Sequence, residues 1–138
     1  MINDKIVILI VEDEEDLRAM YSTALLGAGF EVLQASDGIE ALQLFEKKYS
    51  SIDLVLLDIV MPRMDGLEVL GKIKSDERFR KIPVIVSTNL DNDEDRNQSL
   101  SLGAKDYFVK SKHTPGELVE EIKTMLRDVH GAFGSRIV

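Results

Sequence analysis

The sequence contains no cysteine, which excludes disulfides, thiolate metal sites and thiol catalysis and makes a reducing compartment such as the cytoplasm the expected setting. Long apolar runs are also missing: the longest, Ile6 to Val11, falls far short of the roughly 20 residues a membrane-spanning helix needs. No charged-then-apolar signal peptide opens the sequence, so no membrane association is expected. Basic residues are in the minority, 17 Lys and Arg against 25 Asp and Glu. The net charge of −8 repels phosphate backbones, and without a long Lys/Arg stripe direct nucleic-acid binding is not expected. What is there is a chain of 138 residues, 44% hydrophobic and 30% charged, enough to bury one core.

Short apolar runs alternate with segments of helical period. Strands are predicted at Ile6 to Val11, Phe30 to Ala35, Leu54 to Leu57, Val84 to Val86 and Tyr107 to Val109. Between them lie a helix carrying Leu17, Met20, Tyr21, Ala24 and Leu25, then helices near 38–48, 66–75 and 92–102, and a last one from Pro115 to about Asp128. Four helix starts carry Asp or Thr followed three residues later by Glu: Asp37/Glu40, Asp65/Glu68, Asp91/Glu94 and Thr114/Glu117. Five strands alternating with five helices imply a doubly wound α/β domain with a parallel sheet covered on both faces. Residues 1–128 read as this domain, and 129–138 (VHGAFGSRIV) as a C-terminal tail.

Such sheets bind ligands beyond the carboxyl ends of their strands. There the predicted strands end in Glu12-Asp13, Asp58, Ser87-Thr88 and Lys110. Any one acid could be a helix cap. Acids, hydroxyl and ammonium together on one rim point instead to a site, and three crowded carboxylates call for a hard divalent cation such as magnesium. Ser87 is read as pointing away from Thr88 along the strand.

At these residues the chain resembles the receiver domains of response regulators in two-component systems. The resemblance rests on IVILIVEDEE (Ile6 to Glu15), LVLLDIVMPRMDG (Leu54 to Gly66), PVIVSTN (Pro83 to Asn89) and GAKDYFVKS (Gly103 to Ser111), within residues 5–128. It implies a flavodoxin-like sheet of order 2-1-3-4-5 and a phosphorylation-controlled switch. Asp58 would accept a phosphoryl group from a histidine kinase or histidine phosphotransfer protein. Magnesium would be held by Asp13, Asp58 and the backbone carbonyl of Val60, and by Glu12 through water. Thr88, Lys110 and the backbone N–H of Asn89 would bind phosphoryl oxygens, and Thr88 with Tyr107 would form the switch. Output to a downstream protein would use helix four, strand five and helix five. Helix four is expected to be weakly anchored, because Asp91 to Ser99 is almost entirely polar and leaves Leu100 and Leu102 as its main apolar side chains. Two departures stand out: Ser111 replaces the proline that usually follows the lysine, often through a cis bond, and Asn89 replaces a small residue. The sequence leaves the Lys110-Ser111 bond open.

Asp91 to Asp95 imitates the start of a calcium loop but has Arg96 where a glycine is needed and Leu102 where a bidentate Glu is needed. His113 and His130 lie apart and are not expected to be catalytic. Two other functions compete. An aspartate-nucleophile phosphohydrolase would need a second Asp two residues after Asp58, where Val60 stands; a receiver fragment of a larger DNA-binding regulator would leave the same pattern. The apolar Val60 and Leu90, which in this fold flank the path of a hydrolytic water, suggest slow loss of the phosphoryl group.

Overall fold

A computed structural model of the chain describes residues 5–130. Its elements are β1 (Val7–Val11), α1 (Glu15–Gly27), β2 (Glu31–Ala35), α2 (Gly38–Lys48), β3 (Leu54–Leu57), α3 (Gly66–Ser75), β4 (Val84–Thr88), α4 (Asp93–Ser101), β5 (Asp106–Val109) and α5 (Pro115–His130), with short 3-10 turns at Tyr49–Ser51 and Lys110–Lys112. The strands form one parallel sheet in the order β2-β1-β3-β4-β5.

β1, β3 and β4 are buried at every position, as strands rich in Val, Ile and Leu must be when helices cover both faces. Alternation divides the core into two layers. Ile8, Ile10, Leu54 and Leu56 pack with Tyr21 and Leu25 of α1 and Leu118, Ile122 and Leu126 of α5. Leu9, Val11, Val55 and Leu57 pack on the other face with Phe45 of α2 and Val69, Leu70 and Ile73 of α3. The chain runs from β1 outward to β2 and returns on the other side to β3, so strand order reverses at β1 and β3. A crevice opens beyond their carboxyl ends. Glu12, Asp13 and Asp58 follow those ends directly.

The capping signature holds at three of the four helix starts. Asp37 accepts from the N–H of Glu40 (2.8 Å) and Asp65 from that of Glu68 (2.9 Å). Thr114 and Glu117 exchange both bonds of a capping box, at 3.1 and 2.8 Å. At α4 the cap is Asn92, whose side chain accepts from the N–H of Asp95 at 2.8 Å, while Asp91 pairs with Lys112 at 2.7 Å. Of the two apolar side chains expected to anchor α4, Leu102 at its C-cap is half-buried against the core and Leu100 is not. The buried residue of α4 is Ser99, fully enclosed and donating to the Asp95 carbonyl at 2.8 Å, whereas Leu100 is 42% exposed. α5 continues to His130 and so takes in the first two residues read as tail; the His130 side chain and residues 131–138 lie outside the described residues.

Gly66 begins α3 where the helix meets the loop after Asp58. Its N–H donates to Ile59 at 2.8 Å, and a Cβ there would stand 2.0 Å from the carbonyl oxygen of Asp58. Backbone cannot yield as a side chain can. Gly66→Ala should therefore destabilise by about 3 kcal/mol or more, whereas Gly71→Ala, in the same helix with nothing within 4 Å of the added Cβ, should stabilise by roughly 0.5–1 kcal/mol. Urea denaturation of the two variants checks the contrast.

Candidate functional site

The rim residues meet in a cleft of about 340 Å³ lined by Asp13, Asp58, Val60, Thr88, Asn89 and Lys110, with Glu14 and Leu90. Glu12 lies behind it. Carboxylate oxygens of Glu12, Asp13 and Asp58 all fall within 4.8 Å of one another; among the described residues this is the one such group of acidic or imidazole side chains. Asp13 is exposed, while Glu12 and Asp58 are only 3% and 7% exposed.

The sheet fixes these positions through the backbone. The N–H of Glu12 donates to Ala35 of β2 at 3.1 Å, and that of Asp58 to Val11 of β1 at 3.1 Å. The side chain of Asp58 accepts from the N–H of Ile59 at 2.8 Å, faces the Thr88 hydroxyl, and lies 3.4 Å from Lys110 Nζ. Glu12 accepts from the N–H of Glu14 at 3.1 Å and from the Lys110 ammonium. Lys110 is itself buried, so one ammonium bridges two buried carboxylates.

Burial pushes both carboxyls above their ordinary values, and the nearby ammonium only partly offsets it. Burial alone would depress Lys110, but Asp58 and Glu12 outweigh it and hold the ammonium above its ordinary value. Three carboxylates against one ammonium leave two uncompensated negative charges. An all-oxygen donor set with that deficit fits a divalent cation of the magnesium type, held by Asp13 and Asp58 with Glu12 behind.

Val60 points its side chain outward, 59% exposed, as it must if only its carbonyl takes part. The side chain of Asn89 is exposed at the rim. Tyr107 does not line the cleft. Its ring is buried one layer away, its hydroxyl donates to the Leu90 carbonyl at 2.6 Å, and the guanidinium of Arg96 in α4 lies 4.8 Å from the ring centre. The described backbone has no cis peptide, so the Lys110-Ser111 bond is trans and Lys110 opens a 3-10 turn.

The roles of Arg18 and Arg63, and a second role of the expected cap Asp37, escaped the sequence reading. Arg18 reaches back from α1 to donate to the Glu12 carbonyl at 2.7 Å, clamping the loop that carries the acids. Asp37 caps α2 with one oxygen and pairs with Arg63 through the other, tying α2 to the loop after Asp58, where Arg63 adopts a positive φ of 67°. Arg18 had a signal, a basic residue one turn into the helix after an acidic pair, but its partner is a backbone atom. His113 stands outside the cleft, stacked 4.6 Å from Phe108 and 3.5 Å from Glu117. A wider depression of about 500 Å³ lies between α2 and α3; its carboxylates Glu46 and Asp76 are both engaged by Arg78, and no reactive groups converge there.

A profile of the response regulator receiver domain matches residues 8–123. A probable transcriptional regulator, ycf27, of Porphyra purpurea is 41% identical over 127 residues, covering 92% of this chain and 50% of the relative. The chain thus spans about half the length of the curated relatives of this kind. A CheY-like response regulator receiver domain protein from Methanospirillum hungatei superposes with a TM-score of 0.83 at 30% identity, covering 91% of this chain and 97% of that one. The phosphorylated cyanobacterial phytochrome response regulator RcpA gives a TM-score of 0.76 at 30% identity, covering 92% and 95%.

Removing the bridging ammonium tests the electrostatics. Lys110→Met should cost about 3–5 kcal/mol at pH 7, because it leaves Glu12 and Asp58 buried without a counter-charge. Both carboxyls titrate above their ordinary 4.5 and 3.8, so the folded state holds protons that the unfolded chain has released. Lowering the pH towards those values should therefore shrink the loss. Denaturation of wild type and variant at pH 7 and pH 5 checks this; an equal loss at both would mean that only packing was removed.

Proposed function

This chain belongs to the response regulator receiver domain family of two-component systems, and on that premise we propose that Asp58 accepts a phosphoryl group from a histidine kinase or a histidine phosphotransfer protein. The observation that carries the reading is the convergence of Asp58, Thr88 and Lys110 with Glu12 and Asp13 at the strand-order reversal. Phosphoryl transfer asks a protein for alignment and charge neutralisation more than for covalent help. An Asp58 carboxylate oxygen forms the new O–P bond as the P–N bond of the donor breaks, and the imidazole leaves with that electron pair. Lys110 and the Thr88 hydroxyl bind phosphoryl oxygens, with the backbone N–H of Asn89 beside them. Magnesium, when bound by Asp13, Asp58, the Val60 carbonyl and, through water, Glu12, supplies the positive charge that carboxylates and phosphoryl group both need.

The product acts as a switch by drawing on Thr88. Its hydroxyl oxygen accepts from the N–H of Leu90 at 3.3 Å, and the Leu90 carbonyl holds the Tyr107 hydroxyl. Output therefore goes to a downstream protein through α4, β5 and α5. The absence of a second Asp at Val60 argues against turnover of small phosphate esters, so the chain acts only on its own acyl phosphate. One observation favours a second reading, a receiver joined to a DNA-binding output: the transcriptional-regulator relatives match over about half of their own length. The complete reading frame of the source gene tests it.

Acetyl phosphate or phosphoramidate with magnesium should add one phosphoryl group by intact mass. Asp58→Asn should take none, and excess chelator should stop labelling of the wild type. Undiminished labelling in either case would refute Asp58 or the cation requirement.

Val60 and Leu90 line the same cleft and present branched apolar groups to its opening. A water in line with the O–P bond finds no side chain there to orient it. The acyl phosphate should therefore be lost slowly, and Val60→Asn with Leu90→Glu should speed its loss by about tenfold, equivalent to ~1.4 kcal/mol of barrier. Acyl-phosphate decay in magnesium without kinase measures this, and an unchanged or longer lifetime in the double variant would overturn it.

A further inference from the structure

Behind the phosphoacceptor, on the α1 face of the sheet, is a small cavity with room for about 10 Å³ of water-centre positions, bordered by Glu12, Tyr21, Asp58 and Ser87 and by the apolar Ile10 and Leu56. That is the space of about one water, which settles only where it finds two or more polar partners. Tyr21 and Ser87 are each 5% exposed, and no hydrogen bond joins either hydroxyl to a protein group among the described residues. Two buried hydroxyls on different elements, α1 and β4, thus line one water-sized space beside two buried carboxylates. Both are places where a core helix face and a core strand otherwise carry Leu, Ile and Val. The Tyr21 hydroxyl is also close enough to feel the charges of Lys110 and Glu12.

We propose that Tyr21 and Ser87 are positioning residues that hold one internal water beneath Glu12, and that this water becomes the hydrogen-bond donor to Glu12 when Lys110 turns to a phosphoryl group on Asp58. The inference rests on the proposed function, which has Lys110 bind the phosphoryl oxygens. When Lys110 turns away, Glu12 keeps the Glu14 N–H and, on the proposed function, a magnesium-bound water on its cleft side; the side of this 3% exposed carboxylate that borders the cavity gains a donor only from within, and a buried carboxylate left short of hydrogen bonds is costly. The remaining backbone donor, Glu14, serves only one of its two oxygens. Tyr21 and Ser87 orient the water so that a proton is available to the other.

High-resolution crystal structures of the wild-type chain, alone and with magnesium and beryllofluoride, should contain a water within hydrogen-bond distance of the Tyr21 and Ser87 hydroxyls, and in the second structure of Glu12 as well. Tyr21→Phe and Ser87→Val should each raise the half-saturating beryllofluoride concentration roughly tenfold, the size of one hydrogen bond to a charge. The two effects should not add, and magnesium affinity without beryllofluoride should change less than twofold. General loosening of the fold would move both affinities together, so an equal loss in both overturns the inference. So does the absence of the water, or variants that bind beryllofluoride like wild type. A wild-type chain that binds no beryllofluoride in saturating magnesium overturns the proposed function and this inference with it.

Discussion

Lys110 is the one cation inside a cluster of buried carboxylates, and the arrangement of the sheet around it follows from that. Taking Glu12 and Asp58 out of water costs several kcal/mol each unless a counter-charge and hydrogen bonds repay it. The repayment comes from three strands: β1 delivers Glu12, β3 Asp58 and β5 Lys110, and only a parallel sheet with strand order reversing between β1 and β3 brings those three ends together. Backbone bonds from Glu12 to β2 and from Asp58 to β1 then hold the acids in place. The charge is left incomplete on one side only, towards the exposed Asp13 and the open cleft. A site built in this way is under-neutralised where an ion and an anion can enter and fully supported where they cannot.

The loop after Asp58 is stiff for separate reasons. Gly66 lets the first turn of α3 approach the Asp58 carbonyl more closely than any other residue could. Arg63 is held to Asp37, which also caps α2, and Gly38 in the first turn of that helix lies so close to Met64 and Val69 that a Cβ would meet the latter at 2.5 Å. These contacts join α2 and α3 into one support beneath the acids. Arg78 extends it by pairing with Glu46 and Asp76 and covering the Phe79 ring at 4.5 Å. Each surface pair is worth little alone, but together they bridge the two helices at the edge of the depression between them.

Strand and helix identities were legible because their signals are local. Apolar runs of β-branched residues mark β1, β3 and β4, and Asp or Thr with Glu three residues on marks three caps correctly. The fourth failed because Asp91, Asn92 and Asp93 are all competent caps, and the choice fell to a long-range contact: Lys112 draws Asp91 away and leaves Asn92 to the helix. Glu12, Asp13, Asp58, Thr88 and Lys110 could be found from sequence because each follows or ends a recognisable strand. The roles of Arg18, of Asp37 beyond its cap, and of Ser87 could not, since their partners are a backbone carbonyl, a residue 26 positions away and a cavity on the far face. Strand alternation correctly turned Ser87 away from Thr88 but gave no account of what it faces.

α4 is the element least bound to the rest. α1, α2, α3 and α5 each bury apolar side chains in one of the two core layers, whereas the single buried residue of α4 is a serine that satisfies its own helix. What holds α4 in place includes polar contacts: Arg96 over Tyr107, and Asp91 just before the helix paired with Lys112. The first of these leads back to the site without a gap. Arg96 lies over the Tyr107 ring, the Tyr107 hydroxyl donates to the Leu90 carbonyl, the Leu90 N–H donates to the Thr88 hydroxyl, and that hydroxyl faces Asp58. Contiguity alone does not make a signal; it needs an element with two accessible positions at one end and a chemical bias at the other. A helix that itself buries only a serine, with Leu102 at its C-cap as the apolar contact to the core, is the element best suited to the first condition, because its polar contacts exchange for water at little net cost. The proposed phosphoryl group meets the second, since its oxygens compete with the Asp58 carboxylate for the Thr88 O–H proton and so draw that hydroxyl, with the Leu90 N–H it accepts from, towards the site.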